Sequence, residues 1–229
     1  MRIAFLGDSL TEGWPGAAFF PLLVEGFPQH RLINLGRAGD CVADLLRRLP
    51  YQDPGPVDLV VLWIGANDAV SAAMDPGAGG EWSWESRVRR AVADYGELLA
   101  WAAARSPRTV CVRPVVLEAA GSVWEAHADE LGDALERRAR TESSTRVLDL
   151  RPAFAAAAGA GRGPFTIDGV HFTAEGAAVV AEAVAGELAR AEAGPASGAD
   201  AADSTHRRAA GETDERRRDA HPGQEEDAR

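Results

Sequence analysis

The chain has no lysine: each of its 24 cationic side chains is an arginine. A Schiff-base lysine and the lysine of a phosphate-binding P-loop are therefore excluded. Cysteine is scarce too. The two present, Cys41 and Cys111, lie far apart and form no C-x-x-C or zinc spacing, so a metal framework has no support. Both read as small buried residues. Long apolar runs are missing. The opening "MRIAFL" sets four apolar residues before Gly7 and Asp8, too few for a signal-peptide core or a membrane span, and the expectation is a cytoplasmic chain starting at Met1. Positive charge is in deficit: 35 acids leave a net −11, a field that opposes both nucleic acid and anionic bilayers. Neither is an expected partner.

What is present suffices for a core. Of 229 residues, 46% are hydrophobic and 26% charged, which suits one α/β domain with an appendage. Composition changes near residue 193. Beyond it the chain has no Leu, Ile, Val, Phe, Tyr, Trp or Met and carries nine acids against six arginines. Such a segment buries too little apolar surface to offset its ordering entropy. The expected organisation is a domain over 1–193 and a disordered charged tail over 194–229.

Five short runs rich in branched residues read as strands: "RIAFL" (2–6), "RLINL" (31–35), "DLVVLWIG" (58–65), "TVCVRPVV" (109–116) and "RVLDL" (146–150). The continuous apolarity of the third predicts burial on both faces. Helical periods lie between them. Trp84, Val88, Val92, Tyr95, Leu99 and Ala102 recur at three- and four-residue steps, and Ser122 with Glu125 forms a capping box before Leu131 and Leu135. Thr173 is placed to cap a last helix carrying Val180, Val184 and Leu188. This alternation predicts a parallel sheet covered on both sides.

In such a sheet, ligands sit beyond the carboxyl ends of the strands. Four polar segments belong there: "GDSLTEGW" after the first strand, "GRAGDC" after the second, "GANDAV" after the third, and "DGVH" ahead of the last helix. Each alone is an ordinary turn or cap. Together they hold what acyl transfer requires, namely a nucleophile, a base held in one tautomer, and donors for a tetrahedral oxyanion. Ser9 is the candidate nucleophile and His171 the base. Asp168, three residues ahead, is close enough to accept from the imidazole. The backbone N–H groups of Ser9 and Gly39 and the amide of Asn67 are the candidate oxyanion donors, although Gly36 offers an N–H in the same block.

The set "GDSLTEG" (7–13), "NLGRAGD" (34–40), "GAND" (65–68) and "DGVHFTAEG" (168–176) resembles the four conserved blocks of the SGNH, or GDSL, hydrolase family, in order and from Met1 to about Leu188. The resemblance puts Ser9, Gly39, Asn67 and His171 in the four eponymous positions, selects Gly39 over Gly36, and completes the triad with Asp168. It implies a three-layer, flavodoxin-like sandwich with strand order 2-1-3-4-5. It further implies hydrolysis of a small-molecule ester or thioester through an acyl-serine, with no metal or organic cofactor. Two other functions share these features. An acyltransferase would use the same acyl-enzyme, and a flavin- or nucleotide-binding module would cradle a phosphate at "SLTEG", where Asp8 and Glu12 argue against it.

Trp14, Trp82 and Phe172 flank the blocks and are candidate walls of an acyl pocket, with Trp84 a weaker one and Trp63 core. Asp8 and Asp40 suit local turn bonding, and Cys41 suits an inert thiol at a helix start. The glycine-rich stretch 69–84 is long for a connection and suits a lid over the site. His30, His127, His206 and His221 have no catalytic neighbours in sequence and are assigned to the surface or tail.

Overall fold

Strand alternation decides which side of the sheet each residue joins. In the computed structural model, which describes residues 1–74, 79–115, 117 and 122–194, strands β1 (Arg2–Gly7), β2 (Arg31–Gly36), β3 (Leu59–Trp63), β4 (Thr109–Val112) and β5 (Thr145–Leu148) form one parallel sheet. Its order is β2-β1-β3-β4-β5, as the resemblance implied. Ile3, Phe5, Leu59, Val61, Trp63, Val110 and Val112 face one layer; Ala4, Leu6, Val60, Leu62 and Cys111 face the other. All five residues of β3 are buried, in agreement with their unbroken apolar sequence.

Helices α2 (Phe20–Gly26), α7 (Arg151–Gly159) and α8 (Ala174–Ala193) cover the first side through Leu23, Phe154, Val180, Val184 and Leu188. Helices α3 (Val42–Arg48), α5 (Trp84–Ala103) and α6 (Val123–Ala139) cover the second through Leu45, Tyr95, Leu99, Leu131 and Leu135. Two predicted caps are in place: Ser122 Oγ accepts from Glu125 N at 3.1 Å, and Thr173 Oγ1 from Gly176 N at 3.2 Å. Burial of Val180, Val184 and Leu188, worth about 1.5–3 kcal/mol each, locks α8 to the sheet and so fixes the residues just before Thr173.

Gly7 of β1 is in register with Gly36 of β2 and Trp63 of β3, so the three strands end together and their loops leave one edge. Met1–Glu192 form one compact unit. The predicted tail lies, from residue 195 onward, outside the described residues. Among the described residues no helix is long and apolar enough to cross a membrane.

The connection 69–84 differs from the expectation. Its first part belongs to α4 (Ala66–Ala73) and Gly80–Trp82 is a single 3-10 turn, while 75–78 lie outside the described residues. Two histidines also differ. His30 is not a surface residue: its ring lies between the Met1 amino group (3.1 Å) and Glu192 (2.9 Å). His127 stacks on Trp84 with centroids 4.0 Å apart. His30 thus joins the chain start to the end of α8, and His127 joins α6 to α5, contacts between distant segments that have no local sequence signature. His206 and His221 lie outside the described residues.

Candidate active site

The turn after β1 becomes a one-turn helix, α1 (Ser9–Glu12), because Asp8 caps it: Asp8 Oδ1 accepts from Leu10 N at 3.0 Å. Ser9 is thus the first helical residue, and its N–H has no acceptor within the helix. Ser9 Oγ lies 3.1 Å from His171 Nε2 across 162 residues of chain. On the other side of the ring, His171 Nδ1 is 2.6 Å from Asp168 Oδ2.

The imidazole is held by a tight hairpin. Thr166 pairs with Phe172, Ile167 N donates to His171 O at 2.8 Å, and Leu117 N donates to Gly169 O at 2.8 Å. Asp168 Oδ1 accepts from the backbone N–H groups of Val170 (3.0 Å) and His171 (2.8 Å), which leaves Oδ2 for the ring. Partial burial works against ionisation of Asp168. The His171 and Val170 N–H groups and the imidazole outweigh it and hold the carboxyl below its ordinary range. From α1 the chain returns to the same hairpin: Trp14 N donates to Ser9 O, and Ala17 N donates to Phe172 O at 2.8 Å. A Cβ on Gly16, at φ +97°, would stand 2.6 Å from that carbonyl, so the loop rests directly on the backbone of His171 and Phe172.

The second block separates its two glycines. Gly36 N donates to Asn34 Oδ1 at 2.9 Å, and a Cβ there would meet Glu12 N at 2.2 Å, so Gly36 is the close-approach residue beneath α1. Gly39 is the third residue of the turn Arg37–Asp40, with φ +83° and open space where a Cβ would point. In such a turn the internal bond joins the first carbonyl to the fourth N–H, and the third N–H is left outward. Asn67, in the first turn of α4, donates from Nδ2 to Asp40 O at 2.9 Å, which joins the second and third blocks. Its second amide hydrogen is directed elsewhere.

Beneath this loop lies a residue that the motifs do not contain. Arg48 is 8% exposed and bonds Leu35 O (2.8 Å), Gly7 O (3.0 Å), Gln52 Oε1 (2.5 Å) and the Asp40 carboxylate. One of two adjacent arginines at the end of a short helix carries no sequence signal for such a part. Cys41 caps α3 and its thiol is pushed up to about 12 by burial and by Asp68, Asp44, Asp8 and Asp40. It stays protonated.

The candidate pocket walls fare differently. Phe172 is 2% exposed and packs between Trp63 (5.9 Å) and Phe154 (6.0 Å): neighbours in a hairpin face opposite ways, so with His171 toward Ser9, Phe172 enters the core. Trp63 is core as expected. Trp14 is largely exposed on the loop between Ser9 and the His171 hairpin. Trp82 ends the 3-10 turn ahead of α5 and carries the guanidinium of Arg90, a residue of that helix, over its ring at 5.1 Å. Trp84 packs with Trp124 and Val170 against Ala69 and Ala128, so the residue before His171 is seated on α4, α5 and α6. Among the described residues no group of three or more acidic, His or Cys side chains is arranged to hold a metal ion.

Asp8 carries a pH dependence of its own. Burial raises its carboxyl from 3.8 to about 7, the Leu10 N–H opposes this, and Asp68 and Asp40 add to it; among the described residues Oδ2 has no hydrogen-bond partner. Between these two values the folded chain binds more protons at this group than the unfolded chain, so stability falls as pH rises from about 4 through about 7. Asp8→Asn keeps the cap and removes the buried charge. Thermal unfolding is expected to show a higher Tm than wild type at pH 8 and a difference that shrinks steadily toward pH 4; parallel pH profiles would refute the assignment.

Comparison with known proteins adds to this geometry. Residues 5–179 match the family model described as GDSL-like Lipase/Acylhydrolase family. No curated protein sequence matches the chain. Axe2, an acetylxylan esterase from Geobacillus stearothermophilus, is 21% identical with TM-score 0.68, covering 82% of this chain and 93% of that one. LAE5, an alpha/beta hydrolase enzyme from the metagenome of Lake Arreo, Spain, is 23% identical with TM-score 0.66, covering 81% and 93%. A member of the lipolytic protein G-D-S-L family from Veillonella parvula is 16% identical with TM-score 0.63, covering 83% and 99%. At these identities the likeness is one of fold.

Proposed function

Because the chain belongs to the GDSL-like lipase/acylhydrolase family, we propose that it cleaves a carboxylic ester or thioester of a small molecule through an acyl-Ser9 intermediate. Membership makes it a carboxylic ester hydrolase and sets aside the flavin- or nucleotide-binding module. The observation that carries the serine mechanism is the unbroken line from Ser9 Oγ to His171 Nε2 at 3.1 Å and from His171 Nδ1 to Asp168 Oδ2 at 2.6 Å.

In this reading Ser9 Oγ attacks the substrate carbonyl carbon and its proton passes to His171 Nε2. Asp168 holds Nδ1 as the donor and stabilises the imidazolium. The carbonyl oxygen becomes an oxyanion that accepts from Ser9 N–H, Gly39 N–H and the second amide hydrogen of Asn67. Gly36 is excluded from that set because its N–H is engaged by Asn34. Collapse expels the alcohol or thiol, which takes the proton from His171. Water, deprotonated by the same ring, then releases the acid and restores Ser9.

Labelling with a fluorophosphonate tests the nucleophile. Trypsin releases residues 3–31 as one peptide whose single serine is Ser9, so the label is expected on that peptide alone. A folded, active preparation labelled elsewhere would overturn the assignment. Activated esters and thioesters graded in chain length, with products analysed with and without an acceptor alcohol, distinguish hydrolysis from acyl transfer.

Asn67→Ala is expected to lower kcat by about 10²–10³-fold with KM little changed, the usual scale for one oxyanion donor. The upper end is favoured because the same amide holds the Asp40 carbonyl beside Gly39. A tenfold or smaller loss in steady-state kinetics would remove Asn67 from the oxyanion site.

A further inference from the structure

Beyond Gly39 the edge of the sheet opens into a pocket of about 430 Å³, bounded by the β2–α3 loop and helix α3. Three arginines line it, Arg37, Arg47 and Arg48, with two acids, Asp40 and Asp44. The charges are unevenly matched. Arg48 is paired with Asp40 in the buried floor, and Arg47 with Asp44 at 2.6 Å on the rim. Each acid thus has its own arginine. Arg37 has no ion pair or side-chain hydrogen bond among the described residues, and the nearest acid of α1, Glu12, is engaged by Ala38 N at 2.6 Å. The pocket therefore holds one surplus positive charge in a chain whose net charge is −11. That global field is screened within about 8 Å at physiological salt, so at this range the local guanidinium decides what enters.

We propose that this pocket is a subsite for an oxyanion group, a carboxylate or phosphate, carried by the ester, and that Arg37 reads it. The proposal rests on the acyl-Ser9 reading for its chemistry and adds the class of substrate. Gly39 belongs both to the pocket wall and to the proposed oxyanion donors, and nothing lies within 4 Å of where its Cβ would point, so a molecule with its reacting carbonyl held by this N–H has the pocket beside it. A planar guanidinium with free N–H groups suits bidentate capture of a carboxylate or phosphate. Arg47, with its side chain 74% exposed, is placed to swing from Asp44 as a second donor. Arg48 has every nitrogen engaged and supplies the floor.

Matched esters test this. One pair places the charge on the acyl side, mono-p-nitrophenyl succinate against its neutral methyl ester. The other places it on the leaving group, 4-acetoxybenzoate against 4-acetoxybenzamide. For at least one pair, Arg37→Gln is expected to lower the ratio of charged to neutral kcat/KM about tenfold or more, while the neutral member changes less than twofold. The pair that responds tells which side of the ester occupies the pocket. Ratios unchanged within twofold for both pairs would overturn the proposal. Calorimetric titration of wild type and Arg37→Gln with succinate and with inorganic phosphate gives a readout independent of turnover. Binding lost in the variant supports the subsite, the tighter anion names its preference, and equal or absent binding in both proteins counts against it. Failure of wild type to hydrolyse the neutral esters would count against the acyl-Ser9 reading alone, with calorimetry still deciding the pocket.

Discussion

Ser9→Ala is expected to lower kcat by about 10⁴–10⁶-fold while leaving the fold intact, because the hydroxyl is the bond-forming atom and cannot be replaced by water in the same place. Stability is expected to hold within about 1 kcal/mol, since alanine is a good helix former and Asp8 remains the cap of α1. The lost hydroxyl leaves His171 Nε2 with solvent rather than with an unsatisfied cavity, the side chain being 21% exposed. His171→Ala is expected to fall in the same range. Asp168→Asn is the more discriminating change. Asp168 Oδ1 already accepts two backbone N–H groups, so an amide would turn its oxygen to them and present its NH2 to the ring. Nδ1 would then have to accept, the proton would move to Nε2, and the base would lose the lone pair that takes the serine proton. A loss of about 10⁴-fold is expected with an unchanged fold. Steady-state kinetics with circular dichroism checks all three; a folded Ser9→Ala protein with near wild-type turnover would refute the mechanism.

Much of this arrangement is legible before any coordinates, for reasons that differ between residues. β3 is readable because helices cover both of its faces, so Leu59 to Trp63 are all apolar. Helices α5, α6 and α8, of 17 to 20 residues, are long enough to show a period, and Ser122 and Thr173 mark the starts of the last two. Helices α1, α2, α3, α4 and α7, of four to nine residues, are too short to repeat a pattern. That is why Val70–Ala73, with small residues and glycines close behind, reads as a loop and ends as helix. Strand order came from the family likeness, because pairing depends on contacts between distant segments. Only the half-buried character of β2 and β5, which admit Arg31, Asn34 and Arg146, marks them locally as edges.

The proposed site divides in the same way. Ser9, Gly39, Asn67, Asp168 and His171 stand in short polar segments at strand ends, where chain topology alone brings them to one edge. Their supports do not. The Trp84–Trp124–Val170 contact and the seating of Gly16 on the hairpin arise from tertiary approach. Phe172 was a plausible wall until hairpin alternation turned it into the core.

Arg48 is the largest of these unmarked supports, and Arg48→Met is expected to destabilise the protein by about 3–5 kcal/mol. The change strands the Asp40 carboxylate, 6% exposed, without a cation, and leaves the Gly7 and Leu35 carbonyls without their donor. For a domain of this size the Tm is expected to drop by about 10 °C or more. Asp40→Asn added to Arg48→Met removes the stranded charge and is expected to restore about half of the loss, since the two carbonyls stay unpaired. Activity follows through geometry. Arg48 fixes Asp40, whose carbonyl holds the Asn67 amide and whose neighbour is Gly39, so two of the three proposed oxyanion donors hang on one guanidinium. Well below the Tm, kcat is expected to fall about 10–100-fold with KM little altered, the pattern of lost transition-state contacts rather than lost substrate binding. The double variant is expected to regain stability without regaining turnover. A Tm within 2 °C of wild type for Arg48→Met in a thermal melt would show that the strand ends and the Gly39 loop are held by something other than this arginine.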